Sequence, residues 1–319
     1  MTTMAFRRNY QVREQGALFL STAALRFGKR RFAMPYEIRC RCGEKTNDEA
    51  PAAIAPQDPE VTVVIPVYRN RETLRELHSR LRKVFETGRS SYEIIFVDDS
   101  CPEGSLAVLE ELTRNDSRVA TLALEENTGQ HRAVLTGLRF ARGKATVVMD
   151  ADLQDPPEAI PFLLSKMKEG FDAVFAGRRG RYEARSRLLT SHLFKELLHL
   201  LCGVPADAGM FFAISRQMVE RLLAINEPHP FLVAMIGSAG LSMTSVPVVR
   251  VSRPDGGSAY SSWKRLKTGC LAAVRVLAWK WNSGKPFPGH CVRPVPVRTY
   301  TGARFAHATK KSAGRGKES

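Results

Sequence analysis

Two carboxylates two residues apart, Asp150 and Asp152, close the apolar run Val147-Val148-Met149, and a carboxamide, Gln154, follows. In an extended segment, residues i, i+2 and i+4 project to one side. Asp150, Asp152 and Gln154 are therefore expected to offer three oxygen-bearing side chains to one point at a strand end. Oxygen ligands suit hard divalent cations, and Mg²⁺ commonly completes its shell with water and substrate phosphates. The alternative is a polar turn that ends a buried strand ahead of Pro156-Pro157. Downstream, Arg178, Arg179, Arg181, Arg185 and Arg187 crowd one glycine-punctuated stretch. Guanidinium suits bidentate contact with phosphate; the alternative is a charged surface loop.

These groups need elements to hold them. Val61 to Tyr68, Tyr92 to Ser100 and Arg118 to Leu124 are apolar runs rich in β-branched residues and read as buried strands. Helical spacing separates them: Leu74, Leu77, Leu81, Val84 and Phe85; then Leu106, Leu109 and Leu112; then, more loosely, Ala133, Leu135, Leu138 and Ala141. Alternating strands and helices imply right-handed crossovers and a mainly parallel sheet flanked by helices. A ligand then sits outside the carboxyl ends of the strands, where Tyr68, Asp98, Asp99, Asp150 and Asp152 fall.

The strings IPVY (65–68), VDDS (97–100), NTGQHRAVLTGL (127–138) and above all MDADLQDPPE (149–158) carry a family resemblance. Residues 177–191, 207–216 and 253–261 support it. Over roughly 220 residues the chain resembles family 2 glycosyltransferases of the GT-A, Rossmann-like fold, in particular the polyprenyl-phosphate glycosyltransferases. The resemblance implies a nucleotide-sugar donor (UDP- or GDP-linked), a polyprenyl phosphate acceptor and a divalent cation, Mg or Mn. It implies that Pro66, Tyr68 and Asp99 line the nucleoside pocket with Asp98 beside them, Asp98 alternatively capping its strand. Asp152 is the first choice as metal ligand, with Asp150 and Gln154 ligating the metal or positioning the ribose and the metal's waters. Arg178 and Arg187 would contact phosphate, and Arg253, Ser258 and Tyr260 would close over it. Three departures stand out. Arg69-Asn70 follows the tyrosine where relatives have Asn-Glu, Met210 replaces a common aspartate, and Ala259 replaces a lysine, which Lys264 or Arg265 would have to supply.

The acceptor turns on a general base. A hydroxyl must lose a proton as it attacks, whereas a phosphomonoester, with a second ionisation near pH ~6, arrives ionised. Asp207 and Glu227 are the candidate bases, each equally readable as a turn or helix-end carboxylate. The arginine-rich stretch favours the phosphate acceptor. Two alternatives remain open: a glycosyltransferase acting on a soluble hydroxyl acceptor, and a non-catalytic nucleotide-sugar-binding domain.

Residues 58–262 are expected to form the catalytic domain, for which a hydrophobic content of 44% supplies a substantial core. Residues 1–57 and 282–319 read as disordered basic extensions and carry about +12 of the formal net charge of +16. No run reaches ~18 uncharged apolar residues. The 263–281 segment, with Trp263, Trp279 and Trp281 among basic residues, reads either as an amphipathic membrane-interface helix or as a packing helix with a solvated basic face. Together these features suggest a peripheral enzyme at the inner, cytoplasmic face of an anionic membrane; no aromatic-basic interleaving points to nucleic acid. The six cysteines show no zinc spacing and suit a reducing compartment. His131 reads as a surface or nucleotide-pocket contact.

Overall fold

The computed structural model describes residues 58–179, 199–200, 202–225, 227, 229–250, 295 and 297–302. Outside them lie Arg187, Arg253, Ser258, Tyr260, Lys264, Arg265, the 263–281 segment and residues 1–57; of Arg178 only the backbone is described.

Among the described residues, eight strands form one sheet: β1 (Val61–Val67), β2 (Tyr92–Asp98), β3 (Val119–Leu124), β4 (Ala145–Val148), β5 (Ala173–Arg179), β6 (Phe212–Ser215), β7 (Met243–Val249) and β8 (Val297–Thr301). Their order is β7-β5-β6-β4-β1-β2-β3-β8. The β4-β1-β2-β3 block is parallel, as is β5 with β7, while β6 and β8 pair antiparallel to their neighbours. The expected mainly parallel sheet is thus present.

Helices cover both faces. α1 (Leu74–Gly88), α2 (Ser105–Asn115) and α4 (Ile160–Lys168) pack on the face formed by Val61, Val63, Ile65, Ile94 and Phe96. α3 (Gln130–Phe140), α5 (Arg216–Ala224) and α6 (Leu232–Ser238) pack on the opposite face, formed by Val64, Ile95, Val97 and Leu122. Double coverage is why β1, β2 and β3 are buried at every residue and read as unbroken apolar runs. The buried stripes follow the expected spacing with local shifts. Leu74, Leu77, Leu81 and Phe85 face inward as expected, whereas Val108 joins Leu109 and Leu112 in place of Leu106. Leu135 is only partly buried, and Val134 and Gly137 fill that face instead.

Pro66 sits inside β1 without breaking it. Val64 accepts from Met149 N–H, so its backbone faces β4, and Pro66, two residues on, faces the same side. The β4 pairing has ended there at Val64↔Val148, so the missing proline N–H costs no ladder bond. At the opposite, amino edge, buried Glu93 accepts from the Thr62 hydroxyl (2.8 Å) and from the Arg142 backbone and guanidinium (3.0 and 2.9 Å), so its charge is matched.

One expectation is corrected. Val297–Thr301, assigned from sequence to a disordered tail, forms β8 along the edge of β3, with Tyr300 against Phe140 at 5.5 Å between ring centroids. Alternating β-branched and aromatic residues fit an edge strand, and β3 otherwise presents unpaired backbone groups. No helix among the described residues is long and apolar enough to cross a membrane.

α3 lies so close to β1 and β2 that a Cβ on Gly137 would collide with a Val64 methyl and come within 3.0 Å of one on Val97. Gly→Ala in a helix interior normally gains about 1 kcal/mol, but overpacking a branched core side chain costs about 1–3 kcal/mol. Gly137→Ala should therefore lower the thermal unfolding midpoint by several degrees; a raised midpoint would contradict this packing.

Candidate active site

The carboxyl ends of β1, β2 and β4 lie side by side, since Val67 pairs with Asp98 and Val64 with Val148. Tyr68, Asp98, Asp99, Asp150 and Asp152 therefore gather at one edge of the sheet, as expected. Backbone strain gathers there too. Among the described residues four non-glycine residues take positive φ. Arg89 ends α1, and the other three, Arg69, Ser100 and Leu153, follow the carboxyl ends of β1, β2 and β4. Left-handed geometry costs such residues about 1–3 kcal/mol and tends to persist where function needs it.

The acidic residues are placed by a bend and not by strand alternation. β4 stops at Val148, residues 151–153 bend, and Leu153 has φ 59°. The i, i+2, i+4 geometry expected for Asp150, Asp152 and Gln154 is corrected accordingly: β1 continues past β4, so the ladder that would keep the segment extended has run out. Asp152 Oδ1 instead accepts the Gln154 backbone N–H at 3.1 Å, an Asx-type turn. Two further contacts pin the bend. The Thr73 hydroxyl donates to the Ala151 carbonyl at 2.5 Å, and the Gln130 amide donates to the Asp150 carboxylate.

Asp99 and Asp98 part company. Asp99 is 2% exposed, and its carboxylate accepts Thr128 N–H (2.7 Å), the Thr128 hydroxyl (3.0 Å) and Gly129 N–H (2.9 Å). It thereby holds the turn into α3, where Gly129 adopts φ 87°. Asp98 is 4% exposed, and its Oδ1 has no hydrogen-bond partner among the described residues. Burial pushes its carboxyl up to about 6, against a favourable Cys101 backbone N–H and with the negative charge of Asp99 adding to the rise. A buried acceptor left open at this edge is a group that a ligand donor can satisfy.

Tyr68 is 40% exposed, with the Arg69 guanidinium 5.4 Å from its ring centroid. Pro66 is buried within β1, so it supports this edge from beneath. Asp207 lies over Gly177 of β5, where a Cβ would collide with its carboxylate, and it accepts from the Ser245 hydroxyl at 3.2 Å. Glu227 accepts the His229 backbone N–H at 3.1 Å, a local turn contact. His131 is half-buried: it packs edge-to-face on Phe231 at 5.2 Å, and burial pushes its pKa down to about 4. Sequence reasoning did not single out Gln130, Thr73, Asp155 or Arg250. Asp155 is buried and paired with Arg250, 95 residues away.

Among the described residues no three His, Cys, Asp or Glu side chains converge as a metal cage. Asp150 and Asp152, two carboxylates on one tight turn, could still hold Mg²⁺ or Mn²⁺, which take few protein ligands and fill the shell with water and phosphate oxygens.

Asp98 also predicts a pH signature. Its folded pKa lies above the ordinary value, so the stability it allows is present below about pH 4 and lost as pH rises through about 6, by about 3 kcal/mol at full extent. Asp98→Asn should therefore raise the unfolding midpoint over that of the natural protein by more at pH 8 than at pH 4. An equal difference at both pH values would contradict the raised pKa.

The chain is similar to known proteins in sequence and in fold. YkcC, an uncharacterised glycosyltransferase of Bacillus subtilis, is 33% identical over 211 residues, covering 65% of each chain. An undecaprenyl-phosphate 4-deoxy-4-formamido-L-arabinose transferase of Pseudomonas fluorescens is 35% identical over 204 residues, covering 63% of this chain and 60% of the relative. The chain thus spans less than two thirds of these relatives' length. Among solved structures, mannosyl-3-phosphoglycerate synthase from Rubrobacter xylanophilus superimposes with a TM-score of 0.52 at 17% identity, covering 73% of this chain and 79% of that one. Mannosyltransferase PcManGT from Pyrobaculum calidifontis, in complex with GDP-Man and Mn²⁺, gives 0.50 at 20% identity, covering 72% and 66%. These two likenesses show a shared GT-A-type fold. The model of the glycosyl transferase family 2 matches residues 62–223, and the chain belongs to that family.

Proposed function

We propose that this protein transfers a sugar, with inversion, from a nucleotide-sugar donor to a polyprenyl phosphate at the cytoplasmic face of a membrane. The observation that carries the reading is the pinned acidic bend, Asp150 to Gln154, beside the open Asp98 acceptor at the strained carboxyl edge. Asp98 and Tyr68 receive the nucleoside, and Asp99 keeps the α3 turn in place beneath it. Asp150, Asp152 and Gln154 hold a divalent cation, Mg²⁺ or Mn²⁺, which supplies positive charge for the departing diphosphate. Arg178, Arg187, Arg253 and Ser258 are assigned to phosphate contacts. An acceptor phosphate oxygen bonds to the anomeric carbon as the bond from that carbon to the diphosphate oxygen breaks. No proton has to be removed from such an acceptor, and undecaprenyl phosphate stands in the name of the Pseudomonas relative. The cationic tails and the tryptophan-bearing 263–281 segment would bring the protein to an anionic bilayer.

A second reading has one specific support. Asp207, which accepts from Ser245 beside the glycine that precedes Arg178, would serve as the general base for a soluble hydroxyl acceptor. The two readings separate on the acceptor: polyprenyl phosphate in one, a polysaccharide hydroxyl in the other.

Asp152→Asn keeps the shape of the bend and removes one charge from it. With labelled UDP- or GDP-sugars and polyprenyl phosphate, transfer should fall at least about 100-fold in this variant and on chelation, the unfolding midpoint being retained. Turnover that survives both changes would refute the metal assignment.

A further inference from the structure

Arg250 follows β7 directly and reaches across to the loop that follows the acidic bend. Its Nε and Nη2 donate to the two carboxylate oxygens of Asp155. The pair is secluded: the Asp155 side chain is 3% exposed and that of Arg250 15%. Burying two charges carries a desolvation cost that their attraction often only matches, so such a pair is weak evidence of a purely stabilising role. Its position is more informative. Asp155 lies three residues after Asp152, on the loop whose far side Thr73 and Gln130 already pin. Burial works against the charge on Arg250, yet its pKa is raised. The hydrogen bonds and charge of Asp155 outweigh burial, and the charges of Asp150 and Asp152 add to the effect. The guanidinium therefore lies within electrostatic reach of both members of the acidic pair.

We propose that Arg250 is a positioning residue and a resident counter-cation of the acidic bend. Paired with Asp155, it holds the bend against β7 and sets the charge against which Asp150 and Asp152 meet a divalent ion. The inference rests on the metal reading above. It carries a sign that a simple tether does not. The intact pair is neutral, so an incoming cation meets chiefly the two carboxylates of the bend. Without the guanidinium, Asp155 adds a third negative charge nearby. Without the Asp155 charge, the guanidinium stands uncompensated and repels the ion. Even at about 8 Å and the dielectric of water, ~80, one such charge changes divalent-ion affinity by roughly fivefold, and by more where the dielectric is lower.

The test is Mn²⁺ binding, followed by the EPR signal of free Mn²⁺, with the unfolding midpoint measured on each full-length protein, with and without UDP or GDP. Arg250→Gln should bind Mn²⁺ at least about fivefold more tightly than the natural protein. Asp155→Asn should bind it about fivefold more weakly. Arg250→Lys, which keeps the charge and loses the fork, should stay within about twofold. Should Arg250→Gln fail to fold, the contrast between Arg250→Lys and Asp155→Asn decides the matter. Weaker binding by the same factor in every folded variant, or no change in any, would overturn the inference and leave a tether. No Mn²⁺ binding by any protein, the natural one included, with or without nucleotide, would overturn the metal reading and this inference with it.

Discussion

The carboxylate of Asp99 holds the candidate site together. It is buried at the end of a central strand, where an ionised group is tolerated only if hydrogen bonds replace its water. Three donors from Thr128 and Gly129 do so, and the Asn127 amide adds a bond to the Asp99 carbonyl at 3.2 Å. The start of α3 is thereby fixed against β2, where a negative group also suits the helix's amino end. Gln130, the first residue of α3, then reaches the Asp150 carboxylate. The Asp98–Asp99 side and the acidic side of the edge are thus joined through one helix terminus. Both are buried, and hydrogen bonding sets Asp98 and Asp99 apart: one carboxylate is consumed in structure, and its neighbour keeps an open acceptor.

The acidic bend depends on the sheet in a similar way. β1 outruns β4, so the chain after Val148 loses its ladder partner and is free to turn. Leu153 takes the left-handed strain of that turn, and Arg69 and Ser100 take the equivalent strain after β1 and β2. In place of a ladder, the bend is held by Thr73, Gln130 and the Asp155–Arg250 pair, which belong to three separate regions of the chain.

Much of this was legible in the sequence because the relevant signals are local. Strands buried on both faces announce themselves as apolar runs, and the carboxylates at their ends sit within the same short strings. Legibility failed wherever a long-range partner decides. The expectation that Asp150, Asp152 and Gln154 alternate along a strand assumed that β4 continues, and only the register with β1 shows where it stops. The family resemblance implies that Asp99 lines the nucleoside pocket and leaves Asp98 the strand cap as an alternative; the contacts from Thr128 and Gly129 make Asp99 the capping carboxylate instead. Val297–Thr301 lies in a Pro- and Lys/Arg-rich tail, and its composition hid five residues that pair with the open edge of β3. Arg250 carries no local signal, because its partner lies 95 residues earlier.

The proposed function requires that a divalent ion meet the donor's diphosphate at the bend of residues 150–154. Crystals of the full chain grown with Mn²⁺ and UDP or GDP, with data collected at the manganese absorption edge, test it most directly. The account predicts an anomalous peak against the Asp150 and Asp152 carboxylates, with diphosphate oxygens completing the shell. A nucleotide bound at this edge with manganese located elsewhere, or with none at the bend, would contradict it.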